Sequence, residues 1–197
     1  MKTSMASTAA AVVSLFAASA AAHGNITSPP ARLTGPGMVA ACGQTAVDAV
    51  LKDGTIPLED VLSPAAGCQL DLCRGAVFAD NTDRLQTFQP GQLVNMTAQI
   101  PIAHEGPMNV SIVSTANNSI LATGANLIVF DSYADESLPA LPPNNTAFSV
   151  TIPADIAEDA CLVAGDCVLQ WFWFGTNAKQ TYESCVDFVI ASVDQVL

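Results

Sequence analysis

Beyond Leu93 the chain consists of short segments in which apolar and polar residues alternate. These segments are LVNMTAQI, MNVSIVST, NNSILATG, NLIVFDSY, TAFSVTIP, CVLQWFWF and YESCVDFVIASV. Alternation with a period of two is typical of β-strands buried on one face, and turn residues separate the segments at the intervals of an all-β fold. Helical periodicity is nearly absent after residue 60. We therefore predict an all-β domain, an antiparallel β-sandwich.

Residues 38–90 lack this alternation and form a long, irregular region that contains three of the cysteines. Within it, the segment AACGQTAVDAVLKDG predicts one short helix that ends at Gly54. We expect this region to be a large loop decoration near the N-terminal end of the sandwich, held in place by disulfides.

All six cysteines lie after residue 40. An even number in an exported chain favours disulfides over metal thiolates, and fifteen pairings are formally possible. Two pairs, Cys68–Cys73 and Cys161–Cys167, each enclose a short loop, so we predict both as local bridges. The remaining pair, Cys42–Cys185, would tie the start of the domain to its end.

The first 22 residues have the features of a signal peptide. Lys2 supplies the positive start, and residues 9–22 form an apolar core with Ala20 and Ala22 at the positions that signal peptidase requires. This run is shorter than the ~20 apolar residues that a membrane anchor needs. We therefore predict cleavage before His23 and secretion into the extracellular space.

Cleavage would leave one domain, residues 23–192, with a short tail of residues 193–197. The full chain has a formal net charge of −12, which becomes −13 once Lys2 is removed. This acidity disfavours nucleic acid and anionic membrane surfaces as partners. It is compatible with a neutral substrate such as a glycan, and it favours cations.

Five N-x-S/T sequons agree with export, because they are acceptors for N-glycans. The glycosylation candidates are Asn95, Asn109, Asn117 and Asn144. The fifth sequon, at Asn25, lies so close to His23 that we expect it to be unoccupied or to point away.

The mature chain has two histidines, His23 and His104, and cleavage would make His23 the first residue. A first residue owns a free α-amine, which can chelate a metal ion together with the Nδ1 atom of the same histidine. A second imidazole, from His104, would complete a planar set of three nitrogens, a set that suits copper. Each histidine taken alone could equally be an ordinary structural residue.

The segment QTYESC adds two residues to this candidate site. Period-two alternation places Gln180 and Tyr182 on the same face of a strand, and Cys185 would hold that strand in register. We expect both side chains to point outwards, to the solvent. A phenol beside a copper ion can limit access to it, and an amide can hydrogen-bond a bound oxygen species. The alternative is an ordinary surface pair.

Several segments resemble the fungal lytic polysaccharide monooxygenases, and auxiliary activity family 16 above all. They are HGNITSPPARLTGPGM, AACGQ, CRGAVFADNTDRLQTFQPGQ, the H-x-G of AHEGPMNVSIV, and GDCVLQWFWF with QTYESCVDF. The similarity runs over about residues 23–190.

This resemblance implies an immunoglobulin-like or fibronectin III-like sandwich with one copper ion on its surface. His23 would supply the amine and Nδ1, His104 the second imidazole, Tyr182 the axial tyrosine and Gln180 the neighbouring amide. The implied activity is oxidative cleavage of cellulose or a related β-glucan at C1, with O2 or H2O2 and an external electron donor. The implied setting is a monomer working with other secreted cellulases or monooxygenases.

Two rival functions use the same copper site. One is a copper oxidase that supplies H2O2 to partner monooxygenases, and the other is a secreted copper-binding protein without enzyme activity. Motifs of serine hydrolases, zinc peptidases and nucleotide-binding proteins are absent from the sequence. Aromatic residues, on which sugar rings stack, are scarce. Among them Trp171 and Trp173 alternate with Phe172 and Phe174, and we expect all four to belong mostly to the core.

Overall fold

The computed structural model describes residues 23–157 and 159–191, so the predicted signal peptide and C-terminal tail lie outside the described residues. The described part folds into strands β1 (His23–Ser28), β2 (Gln86–Phe88), β3 (Leu93–Ile102), β4 (Gly106–Ser114), β5 (Ser119–Ile120), β6 (Ile128–Tyr133), β7 (Ala147–Thr151), β8 (Cys167–Gly175) and β9 (Gln180–Ile190). It also contains helices α1 (Pro36–Cys42), α2 (Gln44–Lys52) and α3 (Pro143–Thr146).

These strands form two sheets. The smaller has the order β1-β3-β7, and the larger has the order β2-β9-β8-β4-β5, with β6 also paired to β4. The predicted β-sandwich is confirmed. The strands pair antiparallel except at one edge, where the short β2 runs parallel to β9 with Gln86 opposite Phe188. A hairpin enforces antiparallel pairing, but β2 follows a long irregular region and is free of that constraint.

Aromatic side chains fill the space between the sheets. Trp171, Trp173 and Tyr133 are fully buried and contact one another edge-on or tilted, with ring centroids 5.7–6.3 Å apart. Phe172 and Phe174, on the opposite face of β8, are only half-buried. Period-two alternation along β8 therefore directs both tryptophans into the core.

Residues 36–84, called the stapled region below, pack outside the sandwich. The prediction of a single helix here was wrong, since α1 and α2 are separate helices joined at Gly43. Gly43 has a φ of 87°, a conformation that glycine adopts without steric cost. Met38, Ala46 and Val47 form the buried face of this pair.

Two of the three predicted disulfides were wrong. The structure pairs Cys42 with Cys68 and Cys73 with Cys185, in place of Cys42–Cys185 and Cys68–Cys73. Cys68 packs with the helices, whereas Cys73 packs against β4 and β8, so the two sulfurs point to different partners. The third bridge joins Cys161 to Cys167, as the sequence predicted.

Among the helices of the described residues, none is long and apolar enough to cross a lipid bilayer.

Candidate functional site

Five strand ends meet at one end of the sandwich, and they carry the residues that the sequence singled out. His23 opens β1 and lies opposite Ile102, at the end of β3. The chain reaches His104 two residues later, immediately before β4. Gln180 opens β9 and lies opposite Gly175, at the end of β8. A Cβ placed on Gly175 would lie 3.2 Å from the Cβ of His104, so His104 sits directly beside this hairpin.

Two glycines next to the histidines permit this close approach. A Cβ on Gly24 would lie 3.0 Å from the ring of Trp173, which places β1 directly against the aromatic core. A Cβ on Gly106 would lie 1.9 Å from the carbonyl oxygen of Phe174. Any larger residue at Gly106 would push β4 away from β8 and displace His104 with it. The G of the H-x-G segment is thus required by packing.

The His23 imidazole lies beside the loop that follows α2. Its Nε2 atom is 3.2 Å from Oδ2 of Asp53. The other carboxylate oxygen of Asp53 accepts hydrogen bonds from the backbone N–H and the hydroxyl of Thr55, at 2.8 and 2.5 Å. Burial by itself raises the pKa of Asp53, but the Thr55 hydrogen bonds and the nearby His23 and Arg74 hold it below its usual value. Asp53 therefore carries a negative charge next to His23 at neutral pH.

The His104 imidazole has a carboxylate neighbour of its own. Its Nδ1 atom lies 3.6 Å from Oε1 of Glu136. The other oxygen of Glu136 accepts the backbone N–H of Glu105 at 2.6 Å. Its own backbone N–H and that of Glu105 lower the pKa of Glu136. This carboxylate is thus ionised beside the second histidine.

Gln180 and Tyr182 lie on the same face of β9, as the alternation predicted. The Tyr182 hydroxyl donates a hydrogen bond to Oε1 of Gln180 at 2.8 Å. The expectation that both look outwards was wrong for Tyr182, which is fully buried and stacks on Trp173 with ring centroids 4.4 Å apart. Burial raises the pKa of Tyr182 well above its usual value, so the phenol stays protonated.

Beneath this face lie two buried ionisable residues that sequence reasoning missed. Glu183, next to Tyr182 on β9, is 4% exposed, and Arg74 of the stapled region is 7% exposed. Burial raises the pKa of Glu183 to about 7 and lowers the pKa of Arg74 to about 10. Arg74 also donates hydrogen bonds to the carbonyl oxygens of Gly54 and Glu183, so it joins the stapled region to the sandwich under the site.

The residues at this end of the sandwich fit a metal ion held by nitrogen. Within the described ranges, no group of three or more His, Cys, Asp or Glu side chains gathers to form a metal site. A metal site made of two imidazoles and an α-amine would not need a third side chain of these types. The carboxylates contact Nε2 of His23 and Nδ1 of His104, so the chelating Nδ1 of His23 faces away from its carboxylate. Carboxylates in this position commonly orient metal-binding histidines.

The two histidine side chains are partly covered: that of His23 is 16% exposed and that of His104 is 11% exposed. A cavity of about 530 Å³ lies between β1 and the helices of the stapled region, lined among others by Asn25, Leu51 and Arg74. Neither His23 nor His104 lines this cavity.

Sequence reasoning missed Asp53 and Glu136, which reach the histidines from distant parts of the chain. The local signal at Asp53 was the segment Asp53-Gly54-Thr55, typical of a turn closed by an aspartate side chain. That signal predicts the turn but not the histidine beside it. Glu136 gave no signal of this kind.

The predicted glycosylation candidates differ in exposure. Asn95, Asn117 and Asn144 are exposed, and Asn109 is half-buried. The amide nitrogen of Asn25, to which a glycan would be attached, donates to the carbonyl oxygen of Gly54 at 3.3 Å. Glycan occupancy at all five stays a prediction.

Comparison with known proteins gives one strong match. The model of the family described as "Lytic polysaccharide mono-oxygenase, cellulose-degrading" matches residues 23–188. No curated protein matches the chain significantly.

Solved structures give weaker likenesses. A CBM33 protein of Bacillus amyloliquefaciens in complex with Cu(I) is 12% identical, with a TM-score of 0.36 over 54% of this chain and 55% of that one. The catalytic domain of a Listeria monocytogenes LPMO is 12% identical, with a TM-score of 0.35 over 54% of this chain and 59% of that one. An AA15 lytic polysaccharide monooxygenase of Thermobia domestica is 18% identical, with a TM-score of 0.43 over 86% of this chain and 99% of that one. The chain thus spans just over half the length of the first two.

Because all three TM-scores lie below 0.5, the assignment rests on the family model, which covers most of the chain and starts at His23. The family resemblance seen in the sequence is confirmed at this level. The chain belongs to the family of cellulose-degrading lytic polysaccharide monooxygenases.

Proposed function

We propose that the chain is cleaved before His23, secreted, and loaded with one copper ion at the end of the sandwich where β1 begins. The α-amine and Nδ1 of His23 and the imidazole of His104 would hold the ion. Nitrogen ligands in this number and kind suit copper. The start of the family match at His23 supports this N-terminus.

Tyr182 and Gln180 would border the metal on the β9 side. The buried phenol of Tyr182 stays protonated and would act as a rigid wall there, because stacking on Trp173 fixes its ring. The hydrogen bond from Tyr182 to the Gln180 carbonyl oxygen would fix the Gln180 amide beside the metal.

The proposed reaction is oxidative cleavage of cellulose or a related β-glucan at C1. Bound copper would supply the redox chemistry that O2 or H2O2 and an external electron donor require, since acid–base groups do not break an unactivated C–H bond. The protein would contribute a docking face and a fixed arrangement of nitrogen ligands. Within the family, the sequence motifs support a place among the fungal enzymes of auxiliary activity family 16, and we propose it on that ground.

The observation that carries this proposal is the meeting of His23, His104, Gln180 and Tyr182 at one end of the sandwich. They are separated by up to 159 positions in the sequence. The register His23–Ile102 and the pairing of Gly175 with Gln180 bring them together. The acidity of the chain is compatible with a neutral glycan and disfavours nucleic acid and anionic membrane surfaces as partners. We propose a monomer that works beside other secreted cellulases or monooxygenases.

The first experiment is a copper titration of the secreted protein, after intact mass and N-terminal sequencing have established where it begins. We expect one tightly bound Cu(II) with a three-nitrogen EPR signature, and its loss in His104→Ala. A variant with two extra residues before His23 should lose the same signature while keeping both imidazoles. Copper binding that survives both changes would contradict the proposed site.

The second experiment incubates the copper-loaded protein with cellulose and ascorbate. Aldonic acids in the soluble products would identify C1 oxidation. Production of H2O2 without oxidised sugars would identify the oxidase alternative. Tight copper binding with neither product would identify the copper-binding alternative.

A further inference from the structure

The loop Asp53-Gly54-Thr55 is built to present one carboxylate oxygen to His23. Oδ1 of Asp53 is occupied by two donors of Thr55, its backbone N–H and its hydroxyl. The remaining oxygen, Oδ2, faces Nε2 of His23 at 3.2 Å. The side chain therefore has a fixed orientation, with one oxygen for the turn and the other for the imidazole.

The loop is anchored at two further points. The carbonyl oxygen of Thr55 accepts the backbone N–H of Gly24 at 2.9 Å, so the loop pairs with the residue next to His23. The carbonyl oxygen of Gly54 accepts a hydrogen bond from the buried Arg74 guanidinium. The backbone of this loop is thus held by β1 at Thr55 and by Arg74 at Gly54.

A neutral imidazole carries one proton, and the nitrogen that holds it cannot bind a metal. An ionised carboxylate accepts hydrogen bonds but does not donate them, so it favours the proton on the nitrogen that faces it. At His23 that nitrogen is Nε2. The lone pair is then on Nδ1, the nitrogen that forms a six-membered chelate with the α-amine of the same residue.

We infer that Asp53 is a positioning residue, which fixes the His23 imidazole in the Nε2–H tautomer and thereby prepares Nδ1 to bind copper. This inference rests on the proposed function for the identity of the metal, but the tautomer itself is a property of the metal-free protein. Asp53 acts through His23 and does not touch the metal or the substrate.

The second histidine has a looser version of the same arrangement. Glu136 lies 3.6 Å from Nδ1 of His104, beyond the usual length of a direct hydrogen bond, whereas Asp53 lies 3.2 Å from Nε2 of His23. The two carboxylate side chains are about equally exposed, at 43% and 42%, so the distance is what distinguishes them. We therefore expect the first histidine to depend on its carboxylate more strongly than the second.

The decisive variant is Asp53→Asn, which keeps the size of the side chain. The two Thr55 donors need an oxygen, so the asparagine oxygen should stay on Thr55 and its N–H2 should face His23. An N–H2 group there requires a lone pair on Nε2 and moves the proton to Nδ1. Asp60→Asn is the matched control, because it removes the same charge from an exposed residue of the same segment.

Two measurements separate this inference from the proposed function. Long-range 1H–15N NMR of the copper-free, correctly processed protein reports the His23 tautomer directly. We expect Nε2–H in the parent protein and in Asp60→Asn, and Nδ1–H in Asp53→Asn. Copper affinity should fall about 10- to 100-fold in Asp53→Asn, the range seen when such supporting partners are removed, and change less than two-fold in Asp60→Asn.

An unchanged tautomer in Asp53→Asn, or copper affinity equal to that of Asp60→Asn, would overturn the inference. Thermal unfolding of the variants checks that the fold is kept, and Asp53→Ala provides a second variant without an amide. Asp53→Ala should give a mixture of tautomers and an intermediate copper affinity. If the parent protein has the Nε2–H tautomer but binds no copper, the proposed function fails while the role of Asp53 in fixing the ring stands.

Discussion

The sandwich and the stapled region are stabilised by different forces, although both contribute to the same site. The sandwich buries an aromatic core centred on Trp171 and Trp173, between two sheets. The stapled region buries a small cluster around Met38 and Val47 and relies on one internal disulfide and one bridge to β9. The sandwich supplies the proposed ligands, and the stapled region supplies the loop that orients one of them.

This difference shows how a small irregular region can be held in a fixed position. A region of this size buries too little apolar surface to be stable by itself, so a disulfide and hydrogen bonds to a larger core fix its position. Cys73–Cys185 and the contacts of Arg74 are such links, and both end on β9 within three residues of Tyr182. Three predictions test this division.

The largest expected effect is on the sandwich. Trp171→Ala removes a fully buried ring from the middle of the core and should lower the free energy of unfolding by about 3–5 kcal/mol. Urea unfolding of the copper-free protein measures this loss. Leu93→Ala, at a side chain that is 62% exposed on β3, is the control and should cost less than about 0.5 kcal/mol. A similar cost for both variants would mean that the core is not where the sandwich derives its stability.

The second prediction concerns the link between the two regions. Removal of the Cys73–Cys185 bridge by a double change to alanine should lower the free energy of unfolding by roughly 2–4 kcal/mol, since it frees a loop of 112 residues. Limited proteolysis should then cut the stapled region before the sandwich. The corresponding removal of Cys161–Cys167, which spans six residues, is the control and should cost less. Cleavage that begins in β8 or β9 would contradict the division into two regions.

The smallest effect concerns the buried carboxyl group of Glu183 at the junction. Burial raises the pKa of Glu183 to about 7, above the value of ~4.3 for an unfolded chain, so the folded protein binds more protons between these values. The protonated Glu183 carboxyl group therefore contributes fully to the free energy of unfolding below about pH 4.3, and this contribution is lost as the pH rises through 7. Because glutamine does not titrate, the free energy of unfolding of Glu183→Gln should fall less over this pH range, by up to roughly 3 kcal/mol.

Thermal unfolding of the copper-free protein at pH 4.5, 6 and 8 measures this dependence. The exposed Asp155 provides the control variant, Asp155→Asn, which should leave the pH profile as it is in the parent protein. An identical pH profile in Glu183→Gln would mean that folding does not raise the pKa of Glu183, and would contradict this prediction.

Much of the fold was predictable from local pattern. The alternation in CVLQWFWF predicted a strand, because side chains of a strand must point to opposite faces. It did not tell which alternate set faces inward, and the structure shows that this set is Trp171 and Trp173. The same rule placed Gln180 and Tyr182 on one face. It could not tell that this face is the interior at Tyr182, since that depends on which sheet covers the start of β9.

Pairings between distant residues were beyond the sequence. Cys68 and Cys73 are near neighbours in the chain, yet the turns between them direct one sulfur to the helices and the other to β9. The contact of Asp53 with His23 depends in the same way on how the stapled region folds over β1. Short-range spacing carries no information about such contacts, because the geometry of the intervening turns decides them.

By itself, the sequence determined the strand-rich fold, the family motifs and the residues with the chemistry for a nitrogen-held metal. These features depend on residue type and on local periodicity, which are properties of the chain alone. Only the tertiary structure decided the disulfide partners, the burial of Tyr182, the Arg74–Glu183 pair and the carboxylates beside the two histidines. Each of these is a contact between distant segments, and such contacts exist only once the sheets have packed and the stapled region has closed over them.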